Sequence, residues 1–365
     1  MEWFIGEAMD TVISIQVRGV RLPMIEAHRT ASGEITESPL VLVDVTTADG
    51  SVGHGLVFTY TVAALNPLMQ LLQNMGPLLV GQPLAPASVM EQLHKKFRLL
   101  GTQGLVGIAL AAIDMALWDA KVRAAGMSLV SYLGGVAKPI PVYAGIGYEG
   151  VDGSAQAAER LVGEGFLGVK AKIGYPTLEQ DVAVVGAIRA AVGDEVAVMV
   201  DYNQCLMPVE AIQRIKALSQ FRLSWVEEPT LAHDFQGHRR IADAVDTPIQ
   251  CGENWWGPLD MQHAIDAQSS DYMMADVMKI GGVSGWMQAS ALAAQRGIRL
   301  SSHLWPELSA QLLCLTPTAH WLEYIDWWNP IIAEPLQVEN GYARVDVAEA
   351  TGVRWNESVV ARYQV

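Results

Sequence analysis

Three acidic residues close apolar runs at equal intervals. VMVDYN carries Asp201, LSWVEEP carries Glu227 with Glu228 beside it, and PIQCGEN carries Glu253, each 26 residues after the last. That interval holds one loop, one helix and one further strand, the length of a β-α-β crossover between parallel neighbours. The three carboxylates therefore leave the same end of a parallel sheet side by side. Crowded together out of water they would repel one another unless a cation sat between them. An all-oxygen donor set with no cysteine or histidine cluster selects a hard ion, Mg²⁺ or Mn²⁺, over Zn²⁺.

Other polar groups share this register. Lys170 and Lys172 in GVKAKIG are two apart on a strand and so point to one face. Two ammonium groups held together lower each other's proton affinity, which would leave one able to act as a base near neutral pH. Asp276 in MMADVMKIGG and His303 in RLSSHL end two further strands 27 residues apart, so the carboxylate can orient the imidazole and raise its basicity. Glu323 in HWLEY stands at a last strand end, where it could give a proton or strong hydrogen bond to a substrate oxygen. Asn203 faces the same side as Asp201 and is a candidate for a substrate hydroxyl. His28, Arg29, Tyr60 and Lys279 complete the expected substrate-binding set. GIGYEG, from Gly145 to Gly150, matches a dinucleotide fingerprint, yet the next strand ends in lysines where an acidic ribose ligand belongs. Its glycines are expected to give a substrate room.

These residues need a frame that brings strand ends together. From Val142 onward, short apolar strands alternate with amphipathic helices, with strands near Val142, Val169, Val196, Ser224, Ile249, Met273, Ile298 and Trp321. This is the rhythm of an α/β chain folded as a (β/α)₇β form of the TIM barrel, whose C-terminal mouth collects catalytic groups. The preceding part predicts an α+β capping domain over residues 1–134. Its strands are Ile13–Leu22, Leu40–Thr47 and Gly55–Phe58, and its helices Val62–Leu79, Ala87–Leu100 and Leu105–Ala124. Lid loops are expected near 23–38, read as one long polar loop, and near 53–61. The barrel is assigned to 135–330, and 331–365, with hairpin character, to a segment returning to the cap.

Composition narrows the function classes. The chain has 365 residues, 51% of them hydrophobic and 17% charged, which is incompatible with a disordered chain. A net charge of −15 without a basic stripe excludes a nucleic-acid partner. Cys205, Cys251 and Cys314 are few and widely spaced, fitting a reducing cytoplasm and no disulfide framework. The N-terminal stretch lacks a basic, signal-like opening, and GLVGIALAAIDMALW is too short and too interrupted to span a membrane. A cytoplasmic location with no membrane partner is expected.

Taken together, ALAAIDMALWDAKVRAAG, VKAKIG, VMVDYNQ, WVEEPT, CGENWWGP, DVMKIGGVSGW, SSHL and PTAHWLE resemble the enolase superfamily, in its mandelate racemase subgroup, over nearly the whole chain. The resemblance implies Mg²⁺ on Asp201, Glu227 and Glu253. It implies Lys172 as base on one face of a substrate α-carbon, with Lys170 lowering its pKa and contacting the carboxylate. His303, paired with Asp276, would serve the other face, and Glu323 would stabilise an enediolate. A lysine or histidine base working with Mg²⁺ on an enediolate is the general scheme of that superfamily, and it comes to this chain by resemblance alone. A homo-oligomer is also implied. Glu26, His28, Arg29 and Ser32 make the first lid polar, and Gly145 to Gly147 offers no serine hydroxyl, two departures from the mandelate-racemising pattern. The expected reaction is removal of the α-proton of a 2-hydroxy carboxylate by a racemase or epimerase. A dehydratase of an acid sugar is the alternative, with an NAD-dependent oxidoreductase and a non-catalytic metal scaffold as rivals from other classes.

Overall fold

The computed structural model describes residues 10–30, 33–345 and 350–365. Three antiparallel strands open the chain: β1 (Val12–Thr30), β2 (Gly33–Thr47) and β3 (Val52–Phe58). Helices α1 (Val62–Leu79), α2 (Pro86–Phe97), α3 (Gly104–Ala124) and the short α4 (Leu129–Tyr132) follow. Helix α3 is buried on nearly every side, which explains its alanine-rich, uniformly apolar composition. Thr61 starts α1 by accepting from Ala63 N, a cap that contributes about 1 kcal/mol.

The expected polar loop over 23–38 is instead a two-stranded ribbon. β1 and β2 pair from Val12 almost to their tips, with a register shift between Pro23 and His28 and the pairs His28↔Ile35, Arg29↔Glu34 and Thr30↔Gly33 beyond it. Near its tip the ribbon's side chains are mostly polar and exposed or half-exposed, so they give no inside-outside alternation to read. The exposed pairs Arg21–Glu37 and Arg29–Glu34 cross it, but pairs of this kind are worth only about 0–1 kcal/mol, leaving the backbone ladder to hold it. Ser32, part of the polar-lid expectation, lies outside the described residues.

The rest is an α/β barrel. Its strands are β4 (Ile140–Ile146), β5 (Gly168–Lys172), β6 (Ala197–Asp201), β7 (Trp225–Glu227), β8 (Ile249–Cys251), β9 (Tyr272–Asp276), β10 (Leu300–His303) and β11 (Leu322–Tyr324). Between them run α5 (Gly150–Gly163), α6 (Leu178–Val192), α7 (Pro208–Leu218), α8 (Phe235–Ala242), α9 (Gly257–Ala267), α10 (Gly282–Arg296) and α11 (Pro306–Cys314). Strands β4 to β10 are parallel neighbours in sequence order and β11 pairs with β4. Ser302 N donating to Trp321 O at 3.0 Å closes the circle beside β10. One continuous apolar core runs through the cap elements and the barrel.

The C-terminal segment does two jobs. Strands β12 (Val338–Glu339) and β13 (Tyr342–Ala343) form a hairpin that pairs with β4. The chain then reaches the cap: Trp355 Nε1 donates to Asp44 Oδ1 at 2.7 Å, and Glu357, at the start of α12 (Glu357–Tyr363), pairs with Arg18 at 2.6 Å.

Candidate functional site

Barrel strands β5 to β11 deliver charged residues to the mouth at or close to their C-terminal ends. Asp201 ends β6, Glu227 ends β7 and Glu253 follows β8 by two residues. Ligand oxygens of the three lie within 4.8 Å of one another, and all three residues are buried. Burial and the neighbouring Asp201, Glu253 and Glu323 push the Glu227 carboxyl up to about 8, with Lys170 acting against them. Glu253 Oε2 lies 3.3 Å from His303 Nε2 yet has no hydrogen-bond partner among the described residues. An all-oxygen triad with an unengaged buried oxygen fits a hard divalent cation.

Lys170 and Lys172 share a strand face but not a partner. Lys170 is buried between Glu227 and Glu323, 2.8 Å from the latter, and lies 5.3 Å from the centre of the Tyr143 ring. Lys172 bonds Asp201 Oδ2 at 2.5 Å, which follows from the register that sets these two residues opposite each other on β5 and β6. The expected depression of a lysine pKa is not what the surroundings produce. Burial lowers the proton affinity of Lys172, and Lys170 lowers it too, but Asp201, Glu253 and Glu227 outweigh them and hold it above its ordinary value. For Lys170 burial is likewise outweighed, by Glu227 and Glu323.

His303 ends β10 next to Asp276 of β9. Its Nδ1 lies 2.8 Å from Asp276 Oδ2, an acceptor that fixes the proton on Nδ1 and leaves Nε2 toward Glu253 and Glu323. Burial works against a charged imidazole, but Glu253, Glu323 and the Asp276 bond raise its pKa. Glu323 differs from the expectation of a proton donor. Although burial opposes ionisation, Lys170, His303 and Lys172 hold its carboxyl low, at about 2, and it accepts from Leu304 N at 3.1 Å.

The remaining candidates divide. Asn203 donates through its backbone and side chain to Asp201, at 2.7 and 3.0 Å, and so orients a triad member. Lys279 donates to Asn254 Oδ1 at 2.7 Å, and Asn254 Nδ2 in turn reaches Glu228 at 2.7 Å and Glu253 at 3.2 Å. Tyr60 enters from the cap, its hydroxyl 3.0 Å from Asp276 Oδ2. His28, on the ribbon, packs on Trp327 with ring centres 4.8 Å apart. Burial, then Lys172, lowers its pKa to about 4, leaving a neutral imidazole near the lysines. Arg29 is not drawn into the cluster: its half-exposed guanidinium pairs with Glu34 and Glu149.

Asn254 and Glu228 join the site without a signal in the sequence. By spacing Glu228 is only the neighbour of Glu227, and nothing in GENWWGP marks Asn254 as a bridge. The GIGYEG loop is occupied by protein and not shaped as a phosphate cradle. Tyr148 N donates to Arg29 O at 2.9 Å, and Gly150 N to the Tyr175 hydroxyl at 2.7 Å. Gly147 gives room to the ribbon, since a Cβ there would lie 3.2 Å from Arg29 O. A cavity of about 1150 Å³ opens between the ribbon, α5 and the segment after β11. His28, Gly145 and Trp327 line it and no triad residue does, so the carboxylates and not this void mark the chemistry.

The chain matches two family models: the mandelate racemase / muconate lactonizing enzyme N-terminal domain over residues 12–134, and the enolase C-terminal domain-like family over residues 153–359. A solved enolase from Bradyrhizobium, complexed with magnesium and mandelic acid, superposes with a TM-score of 0.94 at 42% identity, covering 99% of this chain and all of that one. The L-talarate/galactarate dehydratase of Salmonella typhimurium is 29% identical over 90% of this chain and 83% of its own length. The 3,6-anhydro-alpha-L-galactonate cycloisomerase of Streptomyces coelicolor is 32% identical over 85% of this chain and 87% of its own. The chain therefore belongs to the enolase superfamily, in its mandelate racemase and muconate lactonizing enzyme branch.

Proposed function

We propose that this protein is a Mg²⁺-dependent racemase or epimerase that removes the α-proton of a 2-hydroxy carboxylate and returns it on the opposite face. One observation carries the reading. Two candidate bases stand at opposite ends of the triad, Lys172 against Asp201 and His303 against Glu253. In this reading Asp201, Glu227 and Glu253 hold the cation, with Asn203 orienting the first of them. Bound there, Mg²⁺ would neutralise charge developing on the substrate carboxylate as the α-proton leaves. With Asp201 and Glu253 engaged by the cation, the negative charge that holds protons on Lys172 and His303 would be offset; Lys172 then takes or gives the proton on one face and His303, aimed by Asp276, on the other. Lys170 places positive charge beside the substrate carboxylate, and Glu323, paired with Lys170 at 2.8 Å, holds that ammonium in place. The neighbour that binds magnesium and mandelic acid at 42% identity supports both metal and substrate class.

The test is proton NMR in D₂O with each enantiomer of a series of 2-hydroxy acids and Mg²⁺. Loss of the α-proton signal together with appearance of the other enantiomer is expected; absence of exchange with every acid would end the proposal. A second reading, dehydration of a polyhydroxylated acid, is favoured by the neutral His28 at the mouth and by the name of the Salmonella relative. It predicts a 2-keto product, trapped with semicarbazide, in place of the opposite enantiomer.

A further inference from the structure

Tyr60 occupies the left-handed region, with φ of 58°, a conformation that strains a residue bearing a side chain. The turn around it is pinned on both sides. Thr59 Oγ1 donates to Pro39 O at 3.1 Å, and Thr61 caps α1. What the strain achieves is placement of the ring in the barrel mouth, where one turn of the barrel grips it at two points. Lys279 Nζ lies 4.4 Å from the ring centre, and Asp276, three residues earlier, accepts from the hydroxyl at 3.0 Å. Phe58 packs against the same ring at 4.8 Å.

The accepting atom matters. Asp276 Oδ2 receives both the Tyr60 hydroxyl and His303 Nδ1, while Oδ1 receives Met278 N at 2.7 Å. A carboxylate held by three donors has little freedom to turn, so the line along which it aims the imidazole is fixed partly by a residue of the cap. Lys172 has no such tie. Among the described residues the hydrogen bonds of Lys172 and Asp201 side chains run to each other and to Asn203, and none reaches the turn at 59–61.

We propose that Tyr60 is a positioning residue for His303 alone: its hydroxyl locks the Asp276 carboxylate, so that seating of the cap turn against Lys279 sets the geometry at one face of the substrate and not at the other. This rests on the reading of His303 as a base. Tyr60→Phe is the informative substitution, because it keeps the ring for Lys279 and Phe58 and removes only the donor.

Two measurements on the full-length, Mg²⁺-supplied protein test it. In the first, histidines are labelled with ¹⁵N and the His303 Nδ1–H signal is identified by its loss in His303→Asn. Tyr60→Phe should shift that signal, because Asp276 Oδ2 then serves one donor in place of two; an unmoved signal overturns the proposal. In the second, α-proton exchange in D₂O is followed for each enantiomer separately, and the one facing Lys172 is identified as the one still exchanged by His303→Asn. Tyr60→Phe should slow exchange of the enantiomer facing His303 about tenfold, the scale of one lost hydrogen bond to a charged group, and the other by less than about twofold. Equal losses for both, or a higher KM with unchanged kcat, would make Tyr60 an ordinary structural or substrate contact. A shifted His303 signal in a protein that exchanges no hydroxy acid would sink the functional reading and leave the positioning role standing.

Discussion

Lys170 and Lys172 are the same residue type on the same face of one strand, and their surroundings give them different work. Lys170 is enclosed by Glu227 and Glu323 with its side chain 1% exposed; Lys172 has one carboxylate partner and opens toward the mouth. Removing Lys170 strands two buried carboxylates, a class of loss that costs about 3–5 kcal/mol. Lys170→Met should therefore lower the denaturant midpoint as well as activity. Lys172→Met leaves one buried carboxylate, Asp201, with Asn203 as its remaining donor, so it should lower the thermal midpoint less than Lys170→Met and lose a factor of about 10² to 10⁴ in turnover, the contribution of a positioned base. A stable, active Lys170→Met would contradict the assignment of partners. Strand alternation makes the shared face readable from the sequence. Which carboxylate each ammonium meets depends on register across the barrel, set by neighbours some 30 or 60 residues away, and no local pattern encodes it. The expected fall in lysine pKa fails for that reason: it weighs one lysine against the other and omits the carboxylates between them.

At the scale of elements, helix α3 and helix α10 are joined by a buried carboxyl. Asp114 interrupts an apolar helix and accepts from Ser284 N at 2.9 Å and Ser284 Oγ at 2.6 Å, in the first turn of α10. Gly282 makes the approach possible, since its φ is +70° and a Cβ there would lie 2.4 Å from Asp114 Oδ2. Burial dominates over these hydrogen bonds and pushes the carboxyl from 3.8 to about 7. Between those values the folded chain holds a proton that the unfolded chain has released. Stability from this group is then complete below pH 3.8, falls as pH rises, and is gone above about 7. At 1.36 kcal/mol per pKa unit the decline amounts to roughly 4 kcal/mol. Urea unfolding at pH 5 and pH 8 samples the part of that decline above pH 5, roughly 3 kcal/mol in the parent, and Asp114→Asn should flatten the difference; an unchanged slope would place the titrating group elsewhere. The barrel strands and helices are legible in the sequence because short apolar runs alternate with helical segments at regular spacing, down to three-residue β7 and β8, buried at every position. The β1–β2 ribbon is not, because near its tip the side chains are mostly polar and exposed or half-exposed and carry no period.

For the whole molecule, two charge distributions act over different distances. Locally, Asp201, Glu227 and Glu253 gather a cation, so Mg²⁺, by binding the folded chain alone, should stabilise it by about 2.7 kcal/mol at a hundred times Kd and raise the thermal midpoint, and Glu253→Gln should abolish the effect. Globally, the chain carries −15, a field that opposes the approach of any carboxylate substrate. The two respond differently to salt. Charges spread over the exterior lie farther from an approaching anion than the screening length, which is about 10 Å at 0.1 M, and are silenced by it. Lys170, Lys172 and the triad are enclosed at the mouth, where screening is weak. Added salt thus removes repulsion before it removes attraction. The expectation is that kcat/KM for a hydroxy-acid anion rises a fewfold between about 10 and 150 mM of an inert monovalent salt at fixed free Mg²⁺, with kcat unchanged because only the encounter is altered. A steady fall over that range would mean that local cations already dominate the long-range field. Repeating the series with an uncharged amide analogue as inhibitor separates the cases, because its affinity should not change with salt if the long-range field is responsible.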